Sequence, residues 1–191
     1  MKSIVFFIVL LISHLGFSQS DENTIRKDFE TIVSYTRLGQ IEKILDMTYP
    51  KVFEKMPKES MLAMTKMATE GMGMKMIFEQ NAINLTMSPM EKLSNGTICM
   101  SSYDQTTIIE FNNAMMAKMF LMAKDEDRKV EKIDDKKVRM SGKAYLLAIK
   151  DSYTNNTWKY LNYDQTMDPS ILSKEIYAKS VELKAALKAK K

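Results

Sequence analysis

The dipeptide Asn95-Gly96 lies between two strand-like stretches, and it constrains the chain more than any other feature. Both residues tolerate positive φ, so the pattern predicts a tight hairpin turn within residues 71–111. Before the turn, Ile83, Leu85 and Met87 alternate with Asn84, Thr86 and Ser88; earlier, Met72, Met74, Met76 and Phe78 alternate with Gly73, Lys75 and Glu79. A period of two is that of a half-buried strand. The apolar set occupies even positions up to Phe78 and odd ones from Ile83, so a bulge at Gln80-Asn81-Ala82 is expected to absorb the change of parity and bend the strand.

After the turn, alternation places Cys99, Tyr103, Ile109 and Phe111 inward, together with Ser101, Gln105 and Thr107, and places Ser102, Asp104, Thr106 and Glu110 outward. Polar groups midway along an inward face suit a pocket with a few oriented hydrogen bonders. Met74, Met76, Cys99, Ser101, Tyr103 and Gln105 are therefore the candidate ligand-binding residues. A strand whose centre is simply exposed accounts for the same pattern. Cys99 is the only cysteine; no intramolecular disulfide forms, and a small buried hydrophobe is the expected role.

The chain opens with Lys2, an apolar run from Ile4 to Ile12 and a small-x-small site at Gly16-x-Ser18. This is expected to be a signal peptide, residues 1–18, cleaved near Ser18, with residues 19–191 forming one exported domain, periplasmic or secreted. No cysteine at that boundary offers a lipoprotein anchor, and no later run reaches the ~18 apolar residues of a membrane span. The whole chain has 28 Lys and Arg against 24 Asp and Glu; losing Lys2 leaves 27 against 24, a net +3, which argues for neither nucleic acid nor membrane partners. The single histidine, His14, leaves with the leader. Without imidazole there is no Ser-His-Asp or Cys-His catalysis and no His-based metal site. One cysteine rules out thiolate zinc, and six glycines without a glycine-rich loop give no support to nucleotide folds.

Along the chain, Ile25, Phe29, Ile32, Val33 and Thr36 predict an amphipathic helix capped by Asp21 or Asn23 and ended by Gly39. A short helix over Ile41, Ile44 and Leu45 stops before Tyr49-Pro50. A third has Pro57 in its first turn, Gly71 as C-cap, and Met61, Leu62, Met64, Thr65 and Ala68 on its apolar side. Asn113 caps a helix to Lys124, and the charged run Lys124–Lys137 is expected to be solvated, with a turn at Asp134-Asp135. Val138 and Met140, then Tyr145, Leu147 and Ile149, predict a long strand with a second bulge at Gly142. Ser152–Asn156 turns into a last strand at Trp158–Leu161. Asp168-Pro169 opens a final helix, about 169–188, with Leu172, Ile176, Ser180, Leu183 and Leu187 on one side and a frayed lysine end.

Helices followed by a bent hairpin and further antiparallel strands predict an α+β fold, with N-terminal helices packed on a curved sheet. From Glu22 to Tyr163 this order resembles the NTF2-like (cystatin-like cone) superfamily, with Trp158 in the closing strand; the helix at 114–124 and the C-terminal helix depart from it and offer covers for the mouth of the cone. The resemblance implies isomerase or dehydratase chemistry only if an inward carboxylate base accompanies a donor. Tyr103 suits the donor, but Glu79, Asp104 and Glu110 fall outward by parity, so no catalytic residue is assigned. The 18 methionines raise another alternative, because thioethers at Met72, Met74 and Met76, at Met61, Met64 and Met67, and at Met116, Met119 and Met122 suit Cu(I) or Ag(I). Core packing explains the same positions, and no metal residue or cofactor is assigned. The favoured reading is a non-catalytic module that binds an apolar small molecule or peptide in a cone lined by methionine and aromatic side chains. A homodimer through an exposed sheet face is compatible with the sequence, which singles out no surface for it.

Overall fold

The computed structural model describes residues 2–71, 73–79, 84–122, 127–164 and 167–190, with side chains from residue 19 onward. The chain divides into two compact units, residues 1–40 and 41–191. The first is one helix, α1 (Lys2–Arg37). The expected cap at Asp21 or Asn23 is not used. The helix runs through both positions, and no proline precedes Pro50 to interrupt it. Its end is as predicted: Gly39 sits at φ +64°, Gln40 N–H donates to Tyr35 O (2.9 Å) and Gly39 N–H to Thr36 O (3.2 Å), a Schellman closure.

The second unit begins with α2 (Ile41–Met47), a turn α3 (Val52–Lys55) and α4 (Lys58–Lys66), which continues as a π-helical turn, Met67–Gly71. Pro57 stands just before α4 as its N-cap, and Gly71 lies inside the π turn rather than capping the helix. The left-handed residue is Gly73, at φ +60°, where a Cβ would run into the Asn112 side chain.

Seven antiparallel strands follow, interrupted by α5 (Ala114–Met122) and ended by α6 (Lys174–Ala189). They are β1 (Lys75–Phe78), β2 (Thr86–Met87), β3 (Glu91–Leu93), β4 (Gly96–Glu110), β5 (Arg128–Lys132), β6 (Lys137–Asp151) and β7 (Lys159–Asn162). The architecture is α+β, an open sheet with six α-helices among the described residues. Its axis is the β4–β6 ribbon, paired without interruption from Gly96↔Asp151 to Glu110↔Lys137. The short strands β1, β2 and β3 line the outer edge of β4, while β5 and β7 line that of β6. A parallel bridge from Thr48 to Tyr160 ties the end of α2 to β7.

Three sequence expectations about strands change. The hairpin loop is Ser94-Asn95, because Leu93 pairs with Gly96, and none of these residues is at positive φ. Gly96 is glycine for close approach instead: a Cβ there would lie 2.7 Å from Lys150 O and 2.8 Å from Asp151 Cβ. No bulge occurs at Gly142, since the β4–β6 register never slips. There a Cβ would stand 2.2 Å from Asp127 O, the carbonyl that accepts from Lys143 N–H. The run Lys124–Lys137 holds the edge strand β5, although its turn at Asp134-Asp135 is present as predicted. The expected bulge at Gln80-Asn81-Ala82 falls outside the described residues. On either side of it Phe78 pairs with Thr107 and Thr86 with Ser102, eight residues forward against five back, and this odd slip reverses parity as anticipated.

The apolar parity along β6 changes because the ribbon is buried on both faces from Ala144 to Ile149 and on one face only at its Val138 end. On one side Ile98, Met100, Leu147, Ile149 and Leu161 pack against Tyr49 and the α6 stripe of Ile176, Leu183 and Leu187. On the other, at the far end, Ile109, Phe111 and Val138 pack against Ala117 and Phe120 of α5, and Asn113 Oδ1 caps that helix by accepting from Met116 N–H (3.0 Å). Each fully buried aliphatic side chain stabilises the fold by about 1.5–3 kcal/mol.

The final helix starts later than predicted. Asp168-Pro169 opens a 3₁₀ turn, Pro169–Ile171, and Ser173 Oγ caps α6 by accepting from Ile176 N–H. Its lysine end is anchored: Lys184 and Lys188 both pair with Asp127, at 2.8 and 2.5 Å, and Lys184 Nζ stands 4.7 Å from the Tyr145 ring centre.

Candidate functional site

Pairing across β1, β4 and β6 decides which side chains share a face. Met76 lies opposite Ile109; Phe78, Thr107 and Met140 form one row; Gln105 faces Gly142, Tyr103 faces Ala144, Ser101 faces Leu146 and Cys99 faces Ala148. All these side chains stand on the Cys99 side of the sheet, as alternation predicted. Met74, just before β1, packs against the Ile109, Phe111 and Val138 cluster on the same side.

The six candidates share that face but not one environment. Cys99 and Ser101 are sealed, and Cys99 Sγ lies 3.4 Å from Ser88 O, so the thiol is a packed small side chain. Ser88 itself is fixed to β4, accepting from Met100 N–H at its Oγ (3.0 Å) and donating its own N–H to Met100 O (2.8 Å). Tyr103 and Gln105 are half-buried, and Met76 is 42% exposed. Burial raises the Tyr103 phenol above its ordinary value, opposed by the charge of Arg128, so this group stays protonated and able to donate at neutral pH.

The residue that alternation placed inward but did not single out is Thr107. It is 1% exposed, and its Oγ1 has no hydrogen-bond partner among the described residues. A buried hydroxyl without a partner costs about 1–3 kcal/mol, so it needs an explanation. Its neighbours in the row, Phe78 and Met140, are apolar and do not bond it; Met140 Sδ accepts instead from Arg128 Nη1 (4.0 Å).

No carboxylate of β1, β4 or β6 lies on the Thr107 side. Glu79, Asp104 and Glu110 occupy the opposite face, as predicted, and each is ion-paired: Glu79 with Arg139 (3.2 Å), Asp104 with Lys143 (2.9 Å) and Glu110 with Lys137 (3.5 Å). Hydrogen bonds from Lys143 and Asn84 hold the Asp104 carboxyl below the usual range. The arrangement beside Thr107 therefore offers hydrogen bonding and apolar contact, with no strand carboxylate positioned as a base.

The methionines are distributed differently from the i, i+3 pattern. Met116 turns into the Phe111 cluster while Met119 and Met122 are exposed, and the outward stripe of α5 is Met115, Met119 and Met122. Met64 and Met67 are exposed, so Met64 is not on a buried side of α4; Met72 lies outside the described residues. Among the described residues no group of three His, Cys, Asp or Glu side chains could hold a metal ion.

Comparison with known proteins finds no neighbour: no family model matches the chain, no curated protein matches it, and no solved structure matches it.

Proposed function

We propose that the chain is an exported, non-catalytic binding module on an NTF2-like cone, taking an apolar small molecule or peptide that also accepts or donates one hydrogen bond. The observation that carries this reading is the orphaned Thr107 hydroxyl, buried in a row between Phe78 and Met140, with half-buried Tyr103 and Gln105 two and one alternate positions along the same strand face. Methionine and aromatic side chains adapt to varied apolar shapes, and a few fixed polar groups orient what they hold. Export rests on the leader-like residues 1–18.

Native mass spectrometry of the protein, purified gently from its own compartment, tests the proposal. An apolar mass that co-purifies with the wild type and is depleted in Thr107→Val supports it. A bare chain overturns it, and a copper or silver adduct would replace it with soft-metal binding.

A further inference from the structure

We infer that β1 pairs edge to edge with β1 of a second copy of this chain, about a two-fold axis through Ile77. The two outer edges of the sheet are finished differently. The edge strand β5 reads Arg128-Lys129-Val130-Glu131-Lys132, four charges in five residues, the usual guard against unwanted pairing. β1 reads Lys75-Met76-Ile77-Phe78, and among the described residues no strand occupies its outer side. Met76 and Ile77 point to opposite faces, yet they are 42% and 39% exposed, so the strand is open on both faces as well as at its edge.

The backbone is set for pairing. Glu79 N–H donates to Thr106 O (3.1 Å), so by antiparallel alternation residues 75, 77 and 79 direct their amides and carbonyls toward β4. Met76 and Phe78 direct theirs outward. A two-fold axis at Ile77 then sets Met76 opposite Phe78 of the second copy and Phe78 opposite its Met76, closing four backbone hydrogen bonds. Ile77 meets Ile77 as a non-hydrogen-bonded pair, with Cβ atoms ~4.5–5.5 Å apart.

The side chains agree with this register and no other. Read against its own reverse, Lys75-Met76-Ile77-Phe78-Glu79 sets Lys75 opposite Glu79 twice, once on each side of the axis. Lys75 has no ion-pair partner among the described residues, and Glu79 engages Arg139 through Oε1, leaving Oε2 for the incoming ammonium. A slip of one residue would move the lysines away from the carboxylates and set Met76 across from Ile77. On the Thr107 side, pairing carries the apolar row Met140–Thr107–Phe78 on into Met76 of the second copy. A four-bond edge is small, so the dimer is concentration-dependent.

Cysteine trapping in the full chain tests the register without disturbing the edge. Cys99 is buried and does not compete. Ile77→Cys is expected to give a disulfide-linked dimer under mild oxidation. Lys75→Cys is expected not to, because its symmetry mate lies four residues, ~14 Å, further along the strand at ~3.4 Å rise per residue, beyond disulfide reach. By sedimentation equilibrium, Lys75→Glu should weaken the dimer at least about tenfold, whereas Lys75→Arg, which keeps the charge and leaves the Glu79–Arg139 pair intact, should retain it. A wild-type chain that stays monomeric over the whole concentration range, equal trapping at the two positions, or a Lys75→Glu chain that dimerises as well as Lys75→Arg would each overturn the inference.

Discussion

At the Gly96 end of the β4–β6 ribbon both sides are buried, Met100, Leu147 and Ile149 under the aliphatic stripe of α6 and Cys99, Ser101, Leu146 and Ala148 on the reverse; at the Glu110 end only one side is, where Ile109 and Val138 meet α5. The reverse side of the far end is a ladder of ion pairs, Glu79–Arg139, Asp104–Lys143 and Glu110–Lys137. One continuous pair of strands therefore passes from one buried face to two without a bulge, and its apolar pattern shifts on the way. A shift of parity reports which face is covered, and only pairing register separates this from an inserted residue.

If the near end is the principal core, Leu147→Ala should cost about 2–5 kcal/mol, and Val138→Ala at the far end about 2 kcal/mol, read as urea midpoints. Equal losses would break the contrast. Gly142→Ala, which drives a Cβ into Asp127 O, should cost about 3 kcal/mol and strip amide protection from β5 before β4. Asp127→Asn should cost about 1–2 kcal/mol, discounted for the partly exposed Lys188. Burial pushes the Asp127 carboxyl up, but hydrogen bonds from Lys184 and Lys188 outweigh it and hold the group below its ordinary value. Its stabilisation is therefore complete above the ordinary carboxylate value, near 4, and is lost as pH falls from there through the lowered value. Acid titration of wild type against Asp127→Asn, followed by circular dichroism, checks the sign: the difference should vanish at low pH. The smallest effect should be opposite in direction. Thr107→Val replaces an unpartnered hydroxyl by an isosteric methyl and should raise the thermal midpoint of the empty protein by the equivalent of about 1 kcal/mol. A loss of stability would mean that the hydroxyl already has a partner.

Much of this was legible in the residues. Alternation placed Ser101, Gln105 and Thr107 with Cys99 and set the carboxylates on the other side, and the helical stripe of Ile176, Ser180, Leu183 and Leu187 is buried as its spacing predicts. Asn155 also takes the left-handed conformation its turn requires, whereas Asn95 does not. Local patterns failed where the answer is non-local. β5 has an edge strand's charges and no apolar alternation, so it resembles a loop. Asp127 meets lysines 57 and 61 residues further along the chain, and the isolation of the Thr107 hydroxyl depends on what three strands place beside it.

The position of α6 in the chain has a consequence for how the protein is made. The helix that closes the Met100 side follows all seven strands, at Lys174–Ala189. As the chain emerges from N to C terminus, the whole ribbon can be present while the apolar surface that α6 covers still faces water. Such a nascent intermediate exposes apolar surface and is prone to aggregate until α6 arrives. Closure of the Met100 side thus waits until synthesis is nearly over, with α6 acting as the final latch.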